Sequence, residues 1–238
     1  KISSAGSCFA QHVGKWLLDR GYSFCQSSLY DDQIASFAFG NIYTPRSLIQ
    51  WIEMNNSINQ NKLEHSIYFD GHKYFDLLRP SFNPLGFNSV KELEVARIGA
   101  VTEMISILKK TDLFIFTLGL TEAWKNKNGL IYPSCPGVVS GVFDEKLHSF
   151  HNFTHSEIMS DMEEMLTAIR QIKSNIKFVL TVSPVPLTAT ATENHILVAN
   201  SYSKSVLRSV AGELSEKLIN VEYFPSFEII TVPSDDFR

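Results

Sequence analysis

The sequence predicts an α/β protein in which a mainly parallel sheet lies between two layers of helices. Two runs, 112–118 (DLFIFTL) and 177–182 (KFVLTV), are apolar over most of their length. Such runs are typical of strands buried on both faces, as strands are in parallel sheets. Amphipathic segments alternate with these strands, and that alternation predicts right-handed crossovers in a three-layer α/β/α fold.

The first part of the chain predicts two helices and one short strand. Apolar residues recur at helical spacing over 9–20, and Gly21 provides a stop signal directly afterwards. Residues 22–25 (YSFC) have the composition of a short strand. Thr44 is a favourable N-cap, and the proline that follows it opens a helix over 45–54.

The middle of the chain predicts a hairpin, a long helix and a loop. In the hairpin, 66–76, the pair Asp70-Gly71 is expected to form a two-residue turn. An amphipathic helix is expected over 89–110, directly before the first buried strand. Residues 125–153 are rich in Gly, Pro and Asn and are expected to form a long surface loop.

The last part of the chain predicts two more helices and a final strand. Thr154 and Glu157 have the spacing of a capping box, so a helix is expected from there to about Lys173. A second helix is expected over 193–217, and 221–224 has the composition of a short strand.

Length and charge narrow the class of protein. The chain has 238 residues, no internal repeat and no low-complexity linker, so we expect one domain over 1–238 with a core that needs no disulfide or metal. The net charge of −4 and the lack of a basic stripe argue against nucleic acid as a partner. The longest apolar stretch, 113–120, is far too short to span a membrane.

The three cysteines, Cys8, Cys25 and Cys135, show no spacing typical of a zinc site. An odd and sparse set of thiols favours a reducing compartment, so we expect a cytoplasmic protein. The chain begins at Lys1 rather than at Met, which leaves a removed signal peptide open as an alternative.

Three unusual segments directly follow predicted strands. They are Ser7-Cys8, 119–122 (GLTE) and 183–187 (SPVPL). In open parallel sheets, ligands bind beyond the carboxyl ends of the strands. The sequence therefore predicts that these segments meet along one edge of the sheet and form the functional site there.

Cys8 is the first candidate catalytic residue. If helix 9–20 begins beside it, the unpaired N–H groups and the positive end of the helix dipole favour the reactive thiolate and could hold an oxyanion. Ser7 competes for this role, because a hydroxyl with a base nearby could also attack an acyl group. The alternative is structural: Ser7 would cap the helix, and Cys8 would pack as a small apolar side chain.

Two glycine-containing turns supply further candidates. Gly40 offers a backbone N–H and Asn41 an amide donor, a pair suited to an oxyanion. Gly119 allows a backbone to approach a ligand closely, while Thr121 and Glu122 add a donor and an acid. Each turn has an ordinary alternative: a turn before a helix cap in the first case, and a strand-to-loop turn with an exposed glutamate in the second.

The histidines do not single out a general base. His195 follows the 183–187 segment, near the start of its predicted helix, and His148 lies in the predicted long loop, where active-site residues often occur. His12 lies one helical turn after Cys8 and could contact it or face solvent. We keep His195 and His148 as the candidate bases within the chain.

Several blocks of the sequence resemble those of the GSCFA family, which is named after the motif at 6–10. The resemblance covers essentially the whole chain, and the further blocks are 40–46 (GNIYTPR), 114–124 (FIFTLGLTEAW), 132–137 (YPSCPG), 152–154 (NFT), 181–187 (TVSPVPL), 199–208 (ANSYSKSVLR) and 223–231 (YFPSFEIIT). The family in turn resembles a branch of the SGNH/GDSL hydrolase superfamily, which implies a flavodoxin-like, three-layer α/β/α fold.

The resemblance also implies roles for particular residues. Cys8 takes the position of the serine in the Gly-Asp-Ser motif of those enzymes, and Gly40 matches their second block. The third block, 119–122, has Thr and Glu where those enzymes have Asn and Asp, which weakens its oxyanion role. Their base is a His that follows an Asp near the C-terminus, so we expect the base of this family in a segment beyond Arg238.

The function that the resemblance implies is acyl handling: an O-acyl esterase or an acyltransferase that acts on a small-molecule or glycan acyl substrate. It implies no metal and no redox cofactor, with acyl-CoA as the donor in the case of a transferase. A non-catalytic relative that binds a glycan or a protein partner is a second hypothesis, and a serine hydrolase that uses Ser7 is a third. The oligomeric state does not follow from the sequence.

Overall fold

The structure is a computed structural model, and it describes residues 1–29, 34–55, 63 and 65–232. Within them the elements follow in the order β1 (Ile2–Gly6), α1 (Phe9–Asp19), α2 (Pro45–Met54), β2 (Ile67–Phe69), β3 (Tyr74–Asp76), α3 (Val90–Lys110), β4 (Leu113–Leu118), β5 (Glu122–Asn126), β6 (Ile131–Tyr132), β7 (His148–Asn152), α4 (His155–Ile172), β8 (Lys177–Val182), α5 (Ile196–Lys217), β9 (Val221–Tyr223) and α6 (Ser226–Thr231).

The central sheet consists of parallel strands in the order β1-β4-β8-β9. Strand β4 pairs with β1 on one side and with β8 on the other, so that Thr117 lies opposite both Gly6 and Thr181. Helices flank this sheet. The predicted α/β class with a mainly parallel sheet is therefore confirmed.

The strand predicted over 22–25 is reduced to a single pairing. Phe24 forms one parallel bridge with Ile2, beside β1. The pairing ends there because the chain turns away, and Ser27 N–H bonds instead to the carbonyl oxygen of Ala35. With Phe24 counted as the second strand, the order across the sheet is that of a flavodoxin-like fold.

The core lies on both faces of β4 and β8, as their apolar composition predicts. The aromatic rings of Phe114, Phe116 and Phe178 are fully buried, and Phe114 meets Phe178 edge to face with 6.3 Å between ring centroids. Burial of each such side chain contributes about 2–3 kcal/mol to stability. This core fixes the strands whose carboxyl ends carry the site.

The predicted helix start at Thr154 is confirmed in detail. The Thr154 hydroxyl accepts a hydrogen bond from the backbone N–H of Glu157, and the Glu157 carboxylate accepts one from the backbone N–H of Thr154 at 2.7 Å. Two N–H groups that α4 would leave unpaired are thereby satisfied.

We expect Thr154→Ala to lower the free energy of unfolding by about 1 kcal/mol, because it removes one half of this capping box. Urea denaturation followed by circular dichroism measures the change. Ser201→Ala, at an exposed position within α5, is the control and should leave stability within about 0.5 kcal/mol of the parent. Equal effects of the two substitutions would show that the cap does not stabilise the fold.

The hairpin has a longer turn than the sequence predicted. The last pair of β2 and β3 is Phe69 with Tyr74, so four residues connect the strands and the predicted two-residue turn is wrong. The Asp70 carboxylate accepts hydrogen bonds from the backbone N–H groups of His72 and Lys73, both at 2.8 Å. This side-chain turn stabilises the wider loop in place of a tight one.

The prediction of a long irregular loop over 125–153 is also wrong. Strand β5 pairs in antiparallel fashion with both β6 and β7 and forms a small second sheet. Trp124 lies opposite Phe150, with 5.7 Å between their ring centroids. Cross-strand aromatic pairs of this kind stabilise short strands despite the glycines and prolines in the connecting segments.

Among the described helices, none combines the length with the apolar character that a membrane crossing requires.

Candidate functional site

The candidate site lies beyond the carboxyl ends of β1 and β4. The segment 40–43 crosses both strand ends: Ile42 N–H donates to the carbonyl oxygen of Gly6 at 2.7 Å, and Gly119 N–H donates to that of Tyr43 at 3.1 Å. The turns around residues 7, 41 and 119 are therefore tied together by backbone hydrogen bonds.

Two glycines allow these segments to approach so closely. Gly6 has a φ of +141°, and a Cβ there would lie 2.7 Å from the backbone nitrogen of Thr117 and closer still to its carbonyl oxygen. A Cβ on Gly119 would lie 2.9 Å from Tyr43 Cδ1 and 3.1 Å from Ser7 Cβ. Backbone therefore packs directly against backbone beneath the site.

Cys8 lies at the first turn of α1 and is partly exposed. Its backbone is already helical, with φ −52° and ψ −27°, and the next turn is closed by Ala10 N–H donating to Ser7 O at 2.8 Å. Within the described part of the chain, the backbone N–H groups of Cys8 and Phe9 have no acceptor. The thiol thus lies beside free donors at a helix start and is not sealed in apolar packing.

Ser7 differs from Cys8 in being almost completely buried, with 3% of its surface exposed. Its hydroxyl finds no hydrogen-bond partner among the described residues, so the alternative in which Ser7 caps the helix is wrong. The residue borders a cavity of only about 20 Å³ that Gly40 and Asn41 also line. Of the two adjacent nucleophile candidates, Cys8 is the one that a substrate can reach.

Gly40 and Asn41 lie next to the start of α1. Asn41 Nδ2 donates to the Tyr43 hydroxyl at 3.0 Å, and Asn41 Oδ1 accepts from Gln11 Nε2 at 3.4 Å, which fixes the orientation of the amide. Gly40 has a φ of +74°, and its N–H has no acceptor among the described residues. These groups could donate to a ligand that reaches Cys8.

Tyr43 is a site residue that the sequence analysis did not single out. Burial raises the pKa of its phenol, the hydrogen bond from Asn41 lowers it, and the charge of Cys8 raises it further. The hydroxyl is therefore protonated at neutral pH. Nothing in the local sequence distinguishes this tyrosine from an ordinary turn residue.

Lys204, on α5, is the second site residue that was missed. It is 2% exposed, and its Nζ donates to the carbonyl oxygen of Gly119 at 2.8 Å. Burial lowers its pKa to about 8, while the negative charge of Cys8 acts in the opposite direction. A lysine within an amphipathic helix is usually solvent-facing, so only the folded structure reveals its position.

Thr121 and Glu122 fix the position of the 119–122 turn through hydrogen bonds. Thr121 is fully buried; its N–H donates to Ser203 Oγ at 3.0 Å, and its hydroxyl donates to Asn152 Oδ1 at 2.7 Å. The Glu122 carboxylate accepts from the Thr190 hydroxyl at 2.5 Å. Both residues therefore anchor the 119–122 turn to neighbouring segments, and the Thr121 hydroxyl is already committed to an acceptor.

The segment 183–187 completes the same edge of the sheet. Ser183 N–H donates to the carbonyl oxygen of Leu118 at 2.9 Å, at the end of β4. Leu187 N–H donates to Asn200 Oδ1 at 3.0 Å, which joins the segment to α5. The three predicted segments thus follow neighbouring strands on one edge.

Each of the two candidate histidine bases makes a hydrogen bond within the fold. His195 is exposed and caps α5, where its Nδ1 accepts from Leu197 N–H at 3.3 Å. His148 is buried in β7, and its Nδ1 accepts from the backbone N–H of Asp144 at 3.1 Å. Because Nδ1 already accepts a hydrogen bond in each ring, the neutral ring carries its proton on Nε2 and has no free lone pair for a substrate proton. His12 is exposed on α1.

Fold and site together define an α/β protein with a cysteine at the carboxyl edge of a flavodoxin-like parallel sheet. A sequence model described as the GSCFA family matches residues 1–238, and the chain belongs to this family. No curated protein matches the chain.

Proposed function

We propose that the protein handles acyl groups, as an O-acyl esterase or an acyltransferase, with Cys8 as the nucleophile. The observation that carries this proposal is the position of Cys8: a partly exposed thiol at a helix start, beside N–H groups with no acceptor in the described part of the chain. Thiol nucleophiles in acyl transfer need this combination of access and nearby donors.

The proposed reaction has two stages: formation of a thioester on Cys8 and its breakdown. The Cys8 thiolate attacks the acyl carbonyl carbon, a bond forms between Sγ and carbon, and the carbonyl electron pair moves onto oxygen. Return of that pair breaks the bond to the leaving alcohol oxygen, and the alkoxide takes a proton from water. Water in an esterase, or a second hydroxyl in a transferase, then attacks the thioester, gives up its proton to solvent and restores the thiolate.

The oxyanion of each stage needs hydrogen-bond donors. The candidates are the backbone N–H groups of Cys8 and Gly40 and the side-chain amide of Asn41, whose orientation is fixed by Gln11. A preorganised donor of this type is worth about 3–4 kcal/mol of transition-state stabilisation. Thr121 is not included, since its hydroxyl is bonded to Asn152.

For the substrate we propose an acylated carbohydrate or glycan, as the resemblance to SGNH/GDSL hydrolases implies, with acyl-CoA as the donor if the protein is a transferase. A second candidate function is glycan or protein binding without catalysis. The observation in its favour is that His148 and His195 both use Nδ1 within the fold and offer no free base.

An activity-independent labelling experiment separates the two functions. The protein is incubated with an acyl thioester probe, and adducts on Cys8, Cys25 and Cys135 are quantified by peptide mass spectrometry. All three cysteines are free and partly exposed, so the latter two are internal controls. The proposal predicts acylation of Cys8 at least about tenfold faster than of the others. Equal labelling of the three thiols would favour the binding function.

A further inference from the structure

A second cavity, which we call the α4 cavity, lies between the small antiparallel sheet and the first turns of α2 and α4. Its volume is about 400 Å³, which is the size of a small-molecule site. Titratable side chains from four elements line it: Arg46 from α2, Lys125 from β5, His151 from β7, and Glu157 and Asp161 from α4. The reaction proposed for Cys8 gives these side chains no role.

Two cations of the α4 cavity have hydrogen-bond donors to spare. The Lys125 ammonium donates to Nδ1 of His151 at 3.2 Å, and no carboxylate among the described residues forms an ion pair with it. The Arg46 guanidinium donates through Nη2 to Asp161 Oδ1 and, at 2.9 Å, to Glu164 Oε2. Its Nε and Nη1 donate to no group in the described part of the chain. Both side chains can therefore donate to a ligand.

The α4 cavity also has an acceptor that lacks a donor. Asp161 is 4% exposed, and one oxygen of its carboxylate accepts from Arg46. The other oxygen, Oδ2, is buried and has no hydrogen-bond partner among the described residues. Burial raises the pKa of this carboxyl, while the hydrogen bond from Arg46 acts in the opposite direction. A buried carboxylate oxygen without a donor is costly, so its retention calls for a ligand that donates a hydrogen bond.

A ligand that satisfies these groups must both accept and donate hydrogen bonds. Each hydroxyl of a sugar ring does both, so neighbouring hydroxyls can accept from Lys125 and Arg46 and donate to Asp161. An anion is repelled by the charge of Asp161, and a cation offers no acceptor to Lys125. The two cations that line the cavity are balanced by two carboxylates, so net charge favours neither kind of ion. An uncharged ligand rich in hydroxyl groups fits best.

We propose that the α4 cavity binds a neutral carbohydrate, with Lys125 and Arg46 donating to its hydroxyls and Asp161 Oδ2 accepting from one of them. The backbone links the cavity to the candidate site, because the N–H of Phe153, a lining residue, donates to the carbonyl oxygen of Thr121 at 2.8 Å. That the bound sugar is part of the acylated substrate rests on the proposed function. Carbohydrate binding itself is measured without acyl transfer.

A competing account is that these side chains only hold the small sheet against α2 and α4. Lys125→Gln removes a cavity cation that has no ion pair with a described residue, so we expect the variant to fold. Lys127→Gln is the matched control, because it removes the same charge from an exposed turn residue outside the cavity. Asp161→Asn is a second test, since it replaces one carboxylate oxygen by a donor at almost the same volume.

Saturation-transfer NMR with glucose, galactose, mannose, N-acetylglucosamine, cellobiose and lactose, each titrated separately, measures binding to the parent and the variants. We expect at least one of these sugars to bind the parent with a millimolar Kd. Lys125→Gln and Asp161→Asn should each raise that Kd about fivefold or more, as the loss of one hydrogen bond does, and Lys127→Gln should leave it within about twofold.

No binding of any of these sugars to the parent would overturn the proposal, and so would a Kd that neither Lys125→Gln nor Asp161→Asn changes. Inorganic phosphate is titrated in parallel, and binding of phosphate without binding of a sugar would assign the cavity to an anion instead. Failure of the proposed function is a different result: sugar binding that depends on Lys125, without any acyl adduct on Cys8, supports the cavity and rejects acyl transfer.

Discussion

Cys8→Ala is expected to abolish the proposed acyl transfer and to lower kcat/KM by about a thousandfold or more, because it removes the sulfur that is proposed to form the covalent intermediate. Ser7→Ala should keep the rate within about fivefold of the parent, since the Ser7 hydroxyl is buried and makes no hydrogen bond to any described residue. Hydrolysis of p-nitrophenyl acetate by the purified variants measures both effects.

Cys25→Ala is the matched control for the loss of a thiol, because Cys25 is equally free and partly exposed. It should leave the rate unchanged. The reverse pattern, with activity lost in Ser7→Ala and kept in Cys8→Ala, would reassign the nucleophile and support a serine hydrolase.

Gly6→Ala is expected to produce the largest loss of stability, at least about 3 kcal/mol, because the added methyl meets the backbone of β4 and the residue's positive φ disfavours any side chain. Such a loss is a large fraction of the stability of a typical domain. Thermal and urea denaturation measure it, and a variant found only in inclusion bodies would agree with the prediction.

Gly99→Ala provides the control for adding a methyl group. Gly99 lies within α3, its φ is not in the positive region, and nothing approaches the position of an added Cβ within 4 Å. We expect this variant to be more stable than the parent by about 0.5–1 kcal/mol, as alanine favours helices over glycine. Equal stability of the two variants would mean that β1 and β4 do not pack as closely as described.

The parts of the fold that follow local rules could be predicted from sequence. The strands over 113–118 and 177–182 are apolar over most of their length, and the Thr154 cap is a short-range pattern, so both were found. The second sheet was missed because β5 and β7 are separated by more than 20 residues along the chain, and within that segment the strand β6 pairs with β5 alone. Local composition carries no information on such a pairing.

Part of the candidate site could also be predicted from the sequence. The carboxyl-edge rule brought residues 7–8, 119–122 and 183–187 to one edge, because strand direction alone determines it. Tyr43 and Lys204 were not found, since their importance comes from contacts with Gly119 across the fold. Another contact across the fold, the hydrogen bond from the Thr121 hydroxyl to Asn152 Oδ1, makes Thr121 an anchor where the sequence suggested a free donor. The roles of Gly40, Asn41 and Cys8 in catalysis stay predictions.

The central claim is that an acyl group becomes bound to the sulfur of Cys8. The most direct measurement is intact-protein and peptide mass spectrometry after brief exposure to p-nitrophenyl acetate, with and without neutral hydroxylamine. We predict one acetyl group on the peptide that contains Cys8, removed by hydroxylamine as a thioester is. An acetyl group that resists hydroxylamine, as an oxygen ester on Ser7 would, or no covalent adduct at all, would contradict the account.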